Sequence, residues 1–196
     1  MDIAQIYFDK YGITNVTDNN RSWKKEEVGD SIIKEENLFV RFFPDMIGYK
    51  KITTKKLQKA GADYIIYFED RDPIYIDIKV NIGSDYSMKP EDYIRKSHYV
   101  ENEVALPIEI YQNKIFTNEK SKITDYMLYF ILEEKRQICY LIDYIEIFKV
   151  SAYHCNFGKQ DMKRFTLYRS NNKSGIYIKT PTSYYNNIRK YVLNIL

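Results

Sequence analysis

No apolar run in this 196-residue chain approaches the ~20 residues needed to cross a bilayer. The start, Met1-Asp-Ile-Ala-Gln, has neither the charged lead nor the apolar block of a secretory leader. A cytoplasmic protein with no membrane partner is therefore expected. Cysteine is scarce, with Cys139 in an apolar, strand-like run and Cys155 in an expected loop. Two cysteines without CxxC spacing or Cys/His clustering argue against both a disulfide framework and a zinc site. The two histidines, His98 and His154, lack the Ser, Cys or acidic neighbours of a triad and read as structural or surface residues. A Gly-rich phosphate loop of the Walker type is missing, so ATP use is not expected. Repeats, low-complexity segments and linkers are also missing, which leaves a single domain over residues 1–196, long enough to bury a core.

What is present is globular in composition: 44% hydrophobic residues and 16% aromatics. The 20 tyrosines suit an AT-rich coding sequence and are discounted as a functional signal. Net charge is only +3, but it is unevenly spread. Residues 149–196 hold nine Lys or Arg against Asp161 alone, a net +8, together with six Tyr and two Phe. A basic and aromatic segment of this kind grips a phosphate backbone or forms a solvated basic face.

Hydrophobic spacing predicts a short amphipathic helix over 2–11 and a second helix capped by Ser22 and running to Asn37, with Val28, Ile32 and Ile33 inward. Leu38 to Phe43 reads as a strand ended by Pro44, and 45–60 as a connection carrying five lysines. Two apolar strands follow around a turn at Asp70-Arg-Asp-Pro73. Beyond them come a loop over 83–90, a helix over 91–103 and a strand over 106–112. Strands over 125–132 and 137–148, one or two more in 164–179 and a final helix from 184 to 196 complete the chain.

The two strands after residue 60 hold the most informative residues. Ile74, Ile76, Ile78 and Val80 alternate with Tyr75, Asp77 and Lys79, so period two places both charged groups on one strand face, and Asp63 heads the strand before. Buried charge that is neither paired nor metal-bound costs several kcal/mol or more. The plain alternative is an ordinary cross-strand Asp/Lys pair at the exposed end of a hairpin.

Gly61-Ala-Asp63, the hairpin, and Asp77-Ile-Lys79 after apolar residues resemble the signature of the PD-(D/E)xK nuclease superfamily, with Ala62 where the family usually has Pro. The order helix, strand, strand, strand, helix, strand is similar to that family's αβββαβ core, and the resemblance spans about residues 22–112. It implies an α/β, restriction-endonuclease-like fold with a mixed central sheet flanked by helices, extra C-terminal strands and a terminal helix. The core would occupy about 22–148 and a basic extension about 149–196.

The resemblance also implies a Mg²⁺-dependent nuclease acting on DNA, with Mn²⁺ as a substitute cation and RNA as a further substrate class. Asp63, Asp77 and the Ile78 carbonyl would be the metal ligands, and Lys79 would orient the attacking water. A helix glutamate commonly joins such sites. Glu26 is the candidate, with Glu27 and Glu36 as rivals, and Glu109 is a further acidic residue in an apolar strand. Arg41, Lys50, Lys51, Lys55, Lys56 and Lys59 would bind the DNA backbone, unless the lysines simply form a solvated loop. Cutting both strands of a symmetric site usually needs two active sites, which makes a homodimer plausible. A phage, plasmid or defence context suits the resemblance, size and composition. The rival from another class is a nuclease-like module that binds nucleic acid or a partner protein without cutting.

Overall fold

Asp2 accepts the Ala4 N–H through its carboxylate (3.0 Å) and so starts the first helix, α1 (Ile3–Lys10), whose Ala4, Tyr7 and Phe8 turn inward. The computed structural model describes residues 2–83, 104–110, 123–156, 168–169 and 176–194. α2 (Arg21–Glu35) follows, two residues earlier than a Ser22 cap would start it. Asn20 holds the cap position, but its side-chain oxygen accepts the Thr17 N–H (2.7 Å) and ties down the preceding turn instead. Val28, Ile32 and Ile33 are buried, as their spacing requires.

The chain then departs from the expected order. Leu38–Phe42 is a short helix, α3, reached through Asn37 in the left-handed region (φ 50°). Its buried Leu38, Phe39 and Phe42 fall at helical spacing, and Phe39 packs edge-on against Tyr49 and Tyr64. The first strand is β1 (Met46–Lys51), inside the segment expected to be a connection. After α4 (Lys55–Lys59) come β2 (Tyr64–Phe68), β3 (Ile74–Ile82), β4 (Ala105–Ile110), β5 (Tyr126–Leu132) and β6 (Arg136–Asp143). α5 (Tyr144–Asn156), β7 (Tyr168–Arg169), β8 (Ile176–Pro181), a 3₁₀ turn at Thr182–Tyr184 and β9 (Arg189–Asn194) complete the order.

Three further expectations are corrected. The strand expected to reach Phe148 stops at Asp143, where α5 begins, so Cys155 is helical rather than in a loop. The terminal helix is instead β9, in which Tyr191 and Leu193 face the core while Lys190 and Val192 are exposed, a period of two. The strand over 106–112 exists as β4, but in a sheet other than the one carrying β3. The expected helix over 91–103 and most of the loop before it lie outside the described residues, as does most of the strand expected to end at Tyr168.

The described residues form two compact units, the first containing α1–α4, β1–β3, β5, β6 and β9, the second β4, α5, β7 and β8. The first unit is α/β, with a six-stranded mixed sheet in the order β1-β2-β3-β5-β6-β9. β3 and β5 are parallel and every other neighbouring pair is antiparallel. α1, α2 and α3 cover one face, where Val28, Ile32, Phe39, Ile66, Ile78, Phe130 and Leu141 share a core. The second unit has the sheet β4-β8-β7. Among the described residues no helix is long and apolar enough to cross a membrane.

Candidate active site

The ladder between β2 and β3 ends at Tyr64 opposite Ile76, whereas β3 runs on to Ile82 beside β5. Two strands that part in this way leave backbone groups of β3 without a β2 partner, and buried groups of that kind must find partners elsewhere. Extending the register by one residue sets Asp63 opposite Asp77. Asp63 replaces the missing ladder with its side chain: Oδ2 accepts the Ile78 N–H (2.8 Å), while its own N–H goes to the Ile76 carbonyl (2.8 Å). Its carbonyl accepts the Ile52 N–H (2.8 Å), fixing the residue from three sides.

The local chain explains why Asp63 sits there. Gly61 has φ 88°, a conformation that favours glycine, and its carbonyl accepts the Thr124 hydroxyl (2.5 Å). Ala62, the departure from the nuclease signature, is fully buried and donates its N–H to the Leu57 carbonyl (3.2 Å). Proline has no N–H and could not make that bond.

Asp77 is only 2% exposed, and Lys79 reaches along the same strand face to put Nζ 3.0 Å from Asp77 Oδ1. Asn81, next on that face, donates through its amide to the Tyr129 hydroxyl. Burial pushes the Asp63 carboxyl up to about 7, and the Asp77 charge and a carboxyl–carboxyl hydrogen bond push the same way. The Ile78 N–H and Lys79 oppose the rise without cancelling it. The pair is thus short of positive charge at neutral pH.

α2 carries Glu26, the acidic residue expected to join them. Gly29 meets β3 so closely that a Cβ there would lie 2.7 Å from Val80 Cγ2. One turn earlier, Glu26 keeps solvent access, yet desolvation raises its carboxyl pKa; Lys79 and Lys51 oppose that rise, while Asp30 and Asp77 add to it. The charges of Lys79 and Asp77 thus act on Glu26. The rival glutamates have other partners: Glu27 pairs with Lys24 (3.0 Å) and Glu36 with Arg41 (3.8 Å). Asp30 was not singled out from the sequence. It forms an ion pair with Lys51 and accepts the Tyr64 hydroxyl (2.7 Å). Its spacing of four from Glu26 was the available signal.

Among the expected phosphate-binding residues, Lys50, Lys55 and Lys56 are exposed, while Lys51 is held by Asp30. The Lys59 side chain lies outside the described residues. Arg41 is spent on structure: its guanidinium lies over the Tyr191 ring (4.6 Å) and its Nε donates to the Glu36 carbonyl (2.8 Å). Glu109 lies in β4 of the second unit, in register with Tyr177. His98 and the His154 side chain are outside the described residues.

Among the described residues no group of three or more His, Cys, Asp or Glu side chains gathers as a metal cage. A half-buried carboxylate beside a buried one is a different kind of donor set. Mg²⁺ keeps most of its waters and is commonly held by one or two carboxylates, so Asp63 and Asp77 fit a hydrated hard cation and not a protein-caged zinc. No family model matches the chain, and neither a curated protein nor a solved structure matches it.

Proposed function

We propose that the chain is a divalent-metal-dependent nuclease that hydrolyses phosphodiester bonds in DNA, with a restriction-endonuclease-like arrangement of its first unit. The observation that carries this reading is half-buried Asp63 beside buried Asp77 at the parting of β2 and β3, with Lys79 on the same strand face as Asp77. Two acids pressed together in a poorly solvated position cost free energy unless positive charge joins them. Asp63 and Asp77 would hold Mg²⁺ or Mn²⁺, which when bound lowers the pKa of coordinated water and neutralises phosphate oxygens.

The chain's own residues divide the remaining work. Asp77 keeps the Lys79 ammonium beside the carboxylate pair, where it can orient water or meet developing negative charge. Asp63 is anchored by Ile78 through one oxygen, and a bound cation would take the place of the proton it shares with Asp77. Glu26 approaches from α2 and accepts a proton more readily than an ordinary glutamate, a property suited to handling water at the rim. Lys50, Lys55 and Lys56 give sequence-independent attraction to phosphate.

The test is cleavage of supercoiled, linear, branched and single-stranded DNA with Mg²⁺ or Mn²⁺, wild type against Asp77→Ala. Removing a group that binds the cation and holds Lys79 should lower the rate by roughly a thousandfold or more, while DNA binding persists. Undiminished cutting by a folded Asp77→Ala chain would sink the site. A wild type that binds these DNAs but cuts none would leave the non-catalytic module as the better reading.

A further inference from the structure

The chain has one tryptophan, and the fold leaves it in the open: Trp23, in the first turn of α2, is 66% exposed. A ring of that size is usually buried, and α2 has an apolar face available in Val28, Ile32 and Ile33. Trp23 belongs to a different stripe. Trp23, Glu26 and Asp30 follow at spacings of three and four, so they lie along one line of the helix. The two acidic members of that line act on Lys51, and Glu26 also feels Lys79 and Asp77. The indole is therefore carried about one turn, ~5 Å along the axis, from Glu26, which feels the charges of Asp77 and Lys79.

Its neighbours narrow what the ring can meet. Arg21, Lys24 and Lys25 surround it in sequence, with Arg21 tied to Asp2 and Lys24 to Glu27. A protein partner docking through apolar contact needs a contiguous apolar patch, and a single ring among charged side chains does not make one. A nucleobase needs only one flat face with cations nearby, because stacking is satisfied ring by ring. The faces of paired bases inside a duplex are already covered by their neighbours. Bases of a single strand, a frayed end, a tail or a branch are not.

Resting on the nuclease reading, we infer that Trp23 is a stacking platform for an unpaired base next to the scissile phosphate, which makes DNA with single-stranded character the substrate class. The ~5 Å of helical rise between positions 26 and 23 corresponds to about one or two nucleotides along a strand. The ring would then fix the register of the strand, while Asp63, Asp77 and Lys79 act on its backbone.

A single tryptophan makes the test direct. Its fluorescence, excited at the red edge of the band where the 20 tyrosines do not absorb, is followed in the Asp77→Ala chain as single-stranded, tailed or blunt duplex oligonucleotide is added. Quenching by the single-stranded and tailed DNAs, and little by the blunt duplex, is expected. In the otherwise wild-type chain, Trp23→Ala should raise KM for a tailed substrate by about tenfold or more, and Trp23→Phe, which keeps a stacking face, should recover most of that loss. Equal quenching by blunt duplex, or an unchanged KM in a folded Trp23→Ala chain that still cuts, overturns the platform and leaves the nuclease reading standing. Wild-type protein that cuts no DNA with any divalent cation overturns that reading and the platform with it.

Discussion

Asp63 carries a proton that an ordinary aspartate would have lost about three pH units earlier, and that gives the site a pH signature. A carboxyl raised to about 7 keeps its proton in the folded chain, while the unfolded chain loses its proton near 4. Between these values the folded state binds more protons, so this group's contribution to stability falls as pH rises from about 4 to about 7 and stays low above it. Asp63→Asn keeps an oxygen for the Ile78 N–H and removes the charge. It should therefore stabilise the metal-free chain by ~1–3 kcal/mol at about pH 8 and by little near pH 4. Cation binding should tighten with rising pH up to about 7 in wild type and vanish in Asp63→Asn. Thermal melts with and without Mg²⁺ at about pH 6 and about pH 8 check both; an Asn variant that still responds to Mg²⁺ removes Asp63 from the ligand set. The sequence showed that Asp63, Asp77 and Lys79 are unusual, because charge in an apolar period-two run is visible without coordinates. It did not show Asp30, whose partners Lys51 and Tyr64 are 21 and 34 residues away. Contacts of that separation leave no local pattern.

At the level of elements, the site depends on how near α2 comes to β3, and Gly29 sets that distance. Alanine at a helix interior position is worth up to ~1 kcal/mol over glycine, so Gly29→Ala would stabilise an exposed helix. Here the new methyl would lie 2.7 Å from Val80 Cγ2, and a valine side chain has no long arm to swing away. Overpacking costs ~1–3 kcal/mol and outweighs the propensity gain. Gly29→Ala should lower Tm and cut turnover more than the folded fraction accounts for, because Glu26 rides on the same helix. Val80→Ala in the Gly29→Ala background should restore both, and a double-mutant cycle reads the coupling. If Gly29→Ala raises Tm, the close approach is absent. Element types were legible where periodicity was clean, as in α1, α2 and β3, and where a short apolar run was bounded by polar residues, as in β2 and β5. Leu38-Phe-Val-Arg-Phe-Phe43 misled because a short apolar run interrupted only by Arg41 suits a strand and a helix alike, and its helical form rests on Phe39 packing against Tyr49 and Tyr64. β1 was hidden for the opposite reason: it is an edge strand with Ile47, Tyr49, Lys50 and Lys51 exposed, so its sequence reads as a loop.

Across the whole molecule, the charge distribution decides how DNA would be held, and the fold redistributes what the sequence grouped together. The basic segment 149–196 was expected to act as one extension, yet its Arg189 and Lys190 belong to β9 of the main sheet. Arg189 donates to the Phe42 carbonyl and lies over the rings of Phe42, Phe43 and Tyr126, while Lys190 sits over Tyr140. Part of the +8 is therefore engaged in holding a strand, a role that a composition count cannot distinguish from phosphate binding. Lys50, Lys55 and Lys56, by contrast, are exposed in the segment leading into Asp63. If each meets one phosphate, each adds about 0.9 to the slope of log K against log salt on duplex DNA. Changing all three to Ala should then flatten that slope by roughly 2–3 and weaken binding to every duplex sequence alike. Fold should be unaffected, since exposed lysines contribute little to stability. Fluorescence anisotropy of labelled DNA over a salt series measures the slope directly. An unchanged slope would move the phosphate contacts away from β1 and α4, whereas a slope that falls only for one sequence would mean that these lysines read bases and not backbone.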